Sequence, residues 1–233
     1  YRLMSSELPA TLPASYCAAS SRDDACRVIV AQPLQGKLGI WELAGSQAPA
    51  WAQLPISQTL GFSPDRRYAV LWSKRDKWLC AWDTTTSRES GCLSADDAPI
   101  NIEQIVIGGR EPTLAVSAGT EVRLWRLPGF DLERSVPVSA EHISTLALSP
   151  AAPVLAVVET GAEVKLWDVG GAEAKLLRRL PSPQGDIKRL AFSPDGSDLW
   201  MASGKQTTGL ISRWQTATGQ ESPALRLRVD TAI

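Results

Sequence analysis

The chain has 233 residues, 44% of them hydrophobic, with 24 Lys plus Arg against 25 Asp plus Glu, enough apolar material for a sizeable core in one domain or two small ones. A formal net charge of -1 excludes a global attraction to nucleic-acid phosphates or to an anionic lipid surface. The two longest charge-free stretches, Leu43 to Pro64 and Ile143 to Val158, hold Pro49 and Pro55 and Pro150 and Pro153 and are too broken to span a bilayer as a helix, so neither nucleic acid nor membrane insertion is expected of this window.

Taken in chain order, residues 1–13 read as an N-terminal extension or, through Leu3-Met4, a closing strand. From 14 to 229 the chain repeats itself. Short alternating segments KLGIW, WLCAW, EVRLW, EVKLW and LISRW end at Trp41, Trp82, Trp125, Trp167 and Trp214, at spacings of 41, 43, 42 and 47 residues. A fixed period of this length is the mark of a repeat architecture. The repeats span approximately 14–55, 58–95, 102–138, 143–180 and 187–229.

Within a repeat, a first apolar run leads into a turn such as GFSPD (61–65), LALSP (146–150) or LAFSPDG (190–196). Proline presets φ for the second turn position, Asp suits the third and Gly accepts the exit. A second run follows (YAVLWS, TLAVSAG, VLAVVET, LWMASG), then the segment ending in Trp, then a fourth run such as AKLLRRL. Each repeat therefore reads as four short antiparallel strands; in the fourth they fall near 143–148, 153–159, 163–168 and 173–180. Apolar residues occupy both faces, Val164 and Leu166 on one side and Trp167 on the other, which suits sheets stacked face to face.

The repeat length, the SPDG turn and the pairs Trp82-Asp83 and Trp167-Asp168 make the chain resemble a WD-repeat β-propeller over about 14–229. The resemblance implies an all-β fold of four-stranded antiparallel blades, five of them visible. The repeats are degenerate: Glu42, Arg126 and Gln215 follow the other tryptophans, and the Gly-His dipeptide survives weakly as Glu141-His142 and Gly185-Asp186. Of the family's Asp six residues before Trp, only Asp76 remains, against Gln35, Gly119, Gly161 and Thr208. Propellers of this family most often have six to eight blades. The expectation is thus a piece of a larger propeller, ahead of a five-bladed ring or a blade completed by a partner chain.

Four cysteines fall in two pairs, each across an expected hairpin. Cys80 and Cys92 flank a turn near residue 86, and Cys17 and Cys26 flank the first turn of the first repeat; cross-strand spacing puts disulfides within reach. Two readings stand, disulfides in an oxidising compartment or free thiols in a cytosolic protein, and localisation stays open between them. One histidine and no Cys-x-x-Cys lead to the expectation of no metal site and no cofactor.

The only histidine, His142, has Ser144 and Glu141 beside it, but no Gly-x-Ser-x-Gly elbow, phosphate loop or dinucleotide fingerprint is present. Gly108-Gly109 and Gly170-Gly171 read as turns. The most distinctive local feature is Trp72 and Trp78, which displace small or charged residues of the other repeats and flank Ser73-Lys74-Arg75-Asp76-Lys77. Read as symmetric about residue 75, they form a cross-strand aromatic pair with Lys74, Arg75 and Lys77 between them. That is either a recognition patch for another protein or peptide, an acidic or phosphorylated one suiting the cations, or a hairpin stabilised by its own aromatics. Trp200 reads as a filler between blades.

The resulting expectation is a non-enzymatic interaction platform, a WD-repeat scaffold or sensor, with further domains of the same chain among its potential partners. The competing expectation is a ligand-binding or catalytic propeller whose site lies at the central channel mouth, built from Asp96, Asp97, Glu141, His142 and Asp186.

Overall fold

The computed structural model describes residues 16–20, 23–32, 37–42, 50–53, 58–65, 67–73, 78–86, 88–93, 104–118, 120–138, 142–159, 163–205, 208–222 and 227–229, with side chains described from Gly61 to Ser222 except at Ser73, Ala118, Lys205 and Thr208. Its regular elements are strands, in five four-stranded antiparallel sheets ordered simply along the chain. Tyr16–Ser20 (β1), Asp23–Gln32 (β2), Lys37–Glu42 (β3) and Ala50–Gln53 (β4) make the first sheet. Gln58–Phe62 (β5), Tyr68–Ser73 (β6), Trp78–Asp83 (β7) and Arg88–Leu93 (β8) make the second. The third holds Ile105–Gly108 (β9), Thr113–Ala118 (β10), Glu121–Arg126 (β11) and Asp131–Pro137 (β12). The fourth holds Ile143–Leu148 (β13), Val154–Glu159 (β14), Glu163–Asp168 (β15) and Lys175–Pro181 (β16). The fifth holds Asp186–Phe192 (β17), Asp198–Lys205 (β18), Thr208–Gln215 (β19) and Leu227–Val229 (β20).

Strand β5 lies against β9, β9 against β13, and β13 against β17. The first strands of the second to fifth sheets therefore lie side by side in succession, and these sheets stack as the blades of a β-propeller. No described helix is long and apolar enough to cross a membrane.

Period-two alternation explains the stacking, because successive side chains on a strand point to opposite faces. On β10, Leu114 and Val116 join Val70, Leu79 and Phe130 in the seam between blades two and three, whereas Ala115 joins Leu146 and Leu155 in the next seam. On β14, Leu155 and Val157 face the third blade, and Ala156 and Val158 pack with Leu199 and Met201 of the fifth. The repeat tryptophans obey one rule: Trp125, Trp167 and Trp214 each pack toward the preceding blade. Each buried middle strand thus contributes to two cores.

The SPD turns are held by side chains bonding back to the chain. Ser63 Oγ donates to Asp65 Oδ1 at 2.5 Å and accepts from Tyr68 N–H at 2.9 Å. Ser193 repeats this with Asp195 at 2.6 Å and Asp198 N–H at 3.0 Å. Hydrogen bonds from the Ser193 hydroxyl and from the Ser197 N–H and hydroxyl hold the Asp195 carboxyl down at about 2. Ser149, with no Asp after its proline, accepts from Ala151 and Ala152 N–H instead.

The Asp of the Trp-Asp pairs caps the turn that follows. Asp83, 5% exposed, accepts from Thr85 N–H at 2.8 Å, Thr86 N–H at 3.2 Å and Arg67 Nε at 3.2 Å. Burial pushes its carboxyl upward, but the Thr85, Thr86 and Arg67 hydrogen bonds outweigh it and the net shift is downward. Asp168 plays the same part for Gly170 N–H at 2.9 Å.

Candidate functional site

In the third, fourth and fifth sheets the turns joining first to second and third to fourth strands lie at one end of the blades, where open grooves separate successive blades. The groove between blades three and four encloses about 510 Å³ and is lined by Arg110, Glu111, Arg126, Glu133 and Arg134 over a floor that includes Leu124, Leu148 and Val169. Arg126 Nε lies 3.5 Å from Glu111 and its Nη2 bonds Glu133. The hydrogen bond and charge of Glu133, with Glu111 adding to them, raise the Arg126 pKa and keep the guanidinium charged.

One blade further on, the groove between blades four and five encloses about 640 Å³. Its lining includes Val154, Leu177, Arg178, Asp198, Arg213 and Gln215. Arg213 Nε pairs with Asp198 at 3.3 Å, and Leu177 is 45% exposed.

An arginine spans each of these seams. Arg134 Nη1 donates to the carbonyl of Gly171 in the next blade, and Arg178 Nη2 donates to that of Ala217. The two are equivalent by register, Arg134 opposite Leu124 and Arg178 opposite Leu166, one residue before each repeat tryptophan. In the second blade the residue opposite Ala81 is Gly91. There the seam closes by backbone approach: a Cβ on Gly91 would overlap the Pro128 carbonyl oxygen. The turn against it contains the cis Leu127-Pro128 bond and Phe130 at φ 58.

These arginines were not legible as a pair, because the turns between tryptophan and arginine differ in length in the two repeats. The bulges that reset register beside the tryptophans, at Leu124/Trp125 and Leu166/Trp167, leave no mark in composition.

Among the residues expected to form a partner patch, Trp72 pairs with Leu79 and Trp78 with Ser73. The hairpin is therefore centred between residues 75 and 76, and that half-residue displacement puts the two indoles on opposite faces of the sheet. Trp72 packs on the seam cluster containing Val70, Leu79 and Leu114; Trp78 is half-buried on the other face. The expected cross-strand aromatic pair is thus corrected to two separate tryptophans. Lys74, Arg75 and Lys77 lie outside the described residues.

Of the channel-mouth set, His142 and Asp186 are exposed at the entries to the inner strands β13 and β17. Asp186 pairs with Lys188 at 3.3 Å. Asp96, Asp97 and Glu141, like the segment 1–13, lie outside the described residues. Trp200 is half-buried opposite Ala191 and Arg213, on the face of the fifth sheet turned away from the fourth.

Cys80 and Cys92 stand directly opposite one another, with Cα atoms 4.1 Å apart, and are joined by a disulfide. Cys17 and Cys26 lie on β1 and β2, where Cys17 is in register with Val28; their side chains lie outside the described residues.

Two comparisons, with protein-family models and with curated proteins, return no match. Among solved structures, the chain is similar to the dihydro-heme d1 dehydrogenase NirN, solved in complex with DHE, at a TM-score of 0.65 and 14% identity over 89% of this chain and 46% of that one. It is also similar to a functionally unknown protein from Desulfotomaculum acetoxidans, at a TM-score of 0.68 and 14% identity over 92% of this chain and 70% of that one. The chain spans just under half the length of NirN. At this identity the likeness shows the fold alone.

Proposed function

We propose that this protein is a non-enzymatic interaction platform of WD-repeat type whose turn face takes an extended segment of another protein. The observation that carries the reading is the pair of equivalent grooves at consecutive seams, each combining apolar floor, paired charges and a cross-seam arginine. Rigid strands set the groove walls, and arginine and exposed aliphatic groups are what a peptide's carboxylates and side chains engage. The first groove carries three arginines against two glutamates, which favours an acidic or phosphorylated segment.

The test is selection of peptides on the immobilised disulfide-bonded chain, followed by affinity measurements on groove variants. Arg110→Glu and Leu177→Asp change exposed side chains, so both should keep the thermal midpoint while weakening selected peptides by about tenfold or more. Unchanged affinity in both sinks the groove assignment. Loss in an Arg75→Glu variant that keeps the thermal midpoint instead moves the contact surface to the turn following Trp72.

A second reading rests on a different observation. Bulges interrupt the inner strands at Ile143/Thr145 and Ile187/Arg189, next to His142 and Asp186, and bulges are over-represented beside active sites. A small ligand at the channel mouth would shift the His142 imidazole resonances in an NMR titration. A peptide confined to the turn face would leave them in place.

A further inference from the structure

We propose that Cys80, Cys92 and Glu89 form a site for a thiophilic divalent cation, zinc being the type, which oxidation to the disulfide closes and reduction opens. The ligand atoms of these three residues lie within 4.8 Å of one another. Cys80 pairs with Cys92, and Glu89 pairs with Trp82. Because Cys80 and Trp82 are two apart on β7, they share a face, and their partners share it with them.

Glu89 and Cys92 are three apart on β8 and in a regular strand would face opposite ways. The register shift at Ala81/Trp82 removes one residue from the pairing and turns both to the same side. The sequence expectation of no metal site rested on linear spacing. Here the ligand set is made by a hairpin pairing and a bulge, which linear spacing does not display.

Two thiolates and one carboxylate suit zinc in a tetrahedral site, leaving the fourth position to water or to a partner's side chain. Cys92 and Glu89 are exposed and Cys80 is 7% exposed, so a cation and a reductant both reach the site from one side. The reductant is a dithiol. Its thiolate attacks the exposed Cys92 sulfur, the Cys80 thiolate leaves, and the second thiol of the reductant resolves the mixed disulfide. The reductant is oxidised to its own disulfide, and Cys80 and Cys92 gain two electrons and two protons. Cation binding then displaces the two thiol protons. The same sulfurs cannot be bonded to each other and serve as two thiolate ligands, so the two states exclude one another.

The experiment uses the 233-residue chain carrying Cys17→Ser and Cys26→Ser, so that the remaining thiols are Cys80 and Cys92. Cobalt(II) is titrated as the spectroscopic probe into oxidised protein and into protein reduced and desalted without oxygen, with near-ultraviolet circular dichroism recorded on both. The expected result is one equivalent bound by the reduced form, with thiolate-to-cobalt charge-transfer absorption and displacement by zinc. The oxidised form should show no such absorption. Glu89→Gln should weaken binding by roughly tenfold or more while the reduced fold persists.

Reduced protein that keeps its fold but shows no thiolate-to-cobalt absorption overturns the proposal. So does binding indifferent to Glu89→Gln, and so does reduction that abolishes the near-ultraviolet signal. Should the serine changes at 17 and 26 prevent folding, the oxidised and reduced natural chain are compared with and without Glu89→Gln, and the same outcomes decide.

Discussion

The second and fourth blades solve the same two structural problems with opposite chemistry. Two residues before the repeat tryptophan, the second blade places Cys80 and ties it covalently to its outer strand. The fourth places Lys165 there, and its ammonium sits 2.7 Å from both carboxylate oxygens of Glu159 on the neighbouring strand. One residue before the tryptophan, the outer strand of the second blade offers Gly91, and the next blade's turn rests on its backbone. The fourth offers Arg178, whose long side chain reaches over to Ala217. The second blade is therefore fixed by covalent bond and backbone contact, and the fourth by charge and hydrogen bonding. At the first position the link runs outward to β8 in the second blade and inward to β14 in the fourth; at the second position both links cross to the next blade.

Breaking the backbone contact should have the largest effect. Gly91→Val drives a side chain into the Pro128 carbonyl, which no rotamer change relieves. A loss of about 3 kcal/mol, or about 6–12 °C in thermal midpoint, is expected by calorimetry. Next comes Lys165→Met, which removes the ammonium paired with the buried Glu159 carboxylate and should cost about 2 kcal/mol in urea unfolding. Adding Glu159→Leu should restore most of that, since an apolar pair of similar volume replaces the ion pair. Replacing Arg178 or Arg134 with Ala removes one partly solvated hydrogen bond each, worth about 1 kcal/mol. If the arginine variants prove as damaging as Gly91→Val, the distinction between the two seams fails.

The smallest effect is a titration. Asp195 is held at about 2 by Ser193 and Ser197. A carboxyl depressed in the folded state contributes stability that is fully present above the ordinary carboxylate range and is lost as pH falls through about 2. A carbon-detected NMR titration should place its midpoint there in the wild type and return it toward the ordinary value in Ser193→Ala.

Much of the fold was legible because its causes are local. The tryptophan spacing set the repeat, the Ser-Pro turns set the strand ends, and alternation such as Val164 and Leu166 against Trp167 marked strands buried on both faces. The cross-strand placement of Cys80 opposite Cys92 followed from hairpin register, whereas register left open whether the two are bonded. What failed was register to within one residue. Reading the second hairpin as centred on residue 75 placed Trp72 and Trp78 on one face, whereas the observed pairs Trp72 with Leu79 and Trp78 with Ser73 separate them. A slip of one residue changes no composition and no periodicity, yet it moves a side chain from surface to seam. The grooves were invisible for a related reason. They arise between repeats, where Arg134 meets Gly171 and Arg178 meets Ala217, and no reading of a single repeat contains both partners.

Because odd and even positions of β10 and β14 belong to different cores, each middle strand works as a shared wall between two rooms. A defect such as Leu155→Ala loosens the room between blades three and four and reaches the fifth blade only through the backbone of β14. Local opening should then spread from seam to seam with diminishing amplitude, as expected of nearest-neighbour coupling in a repeat array. Amide exchange would record the chain as a row of linked compartments, each strand reporting the state of the seam its side chains face.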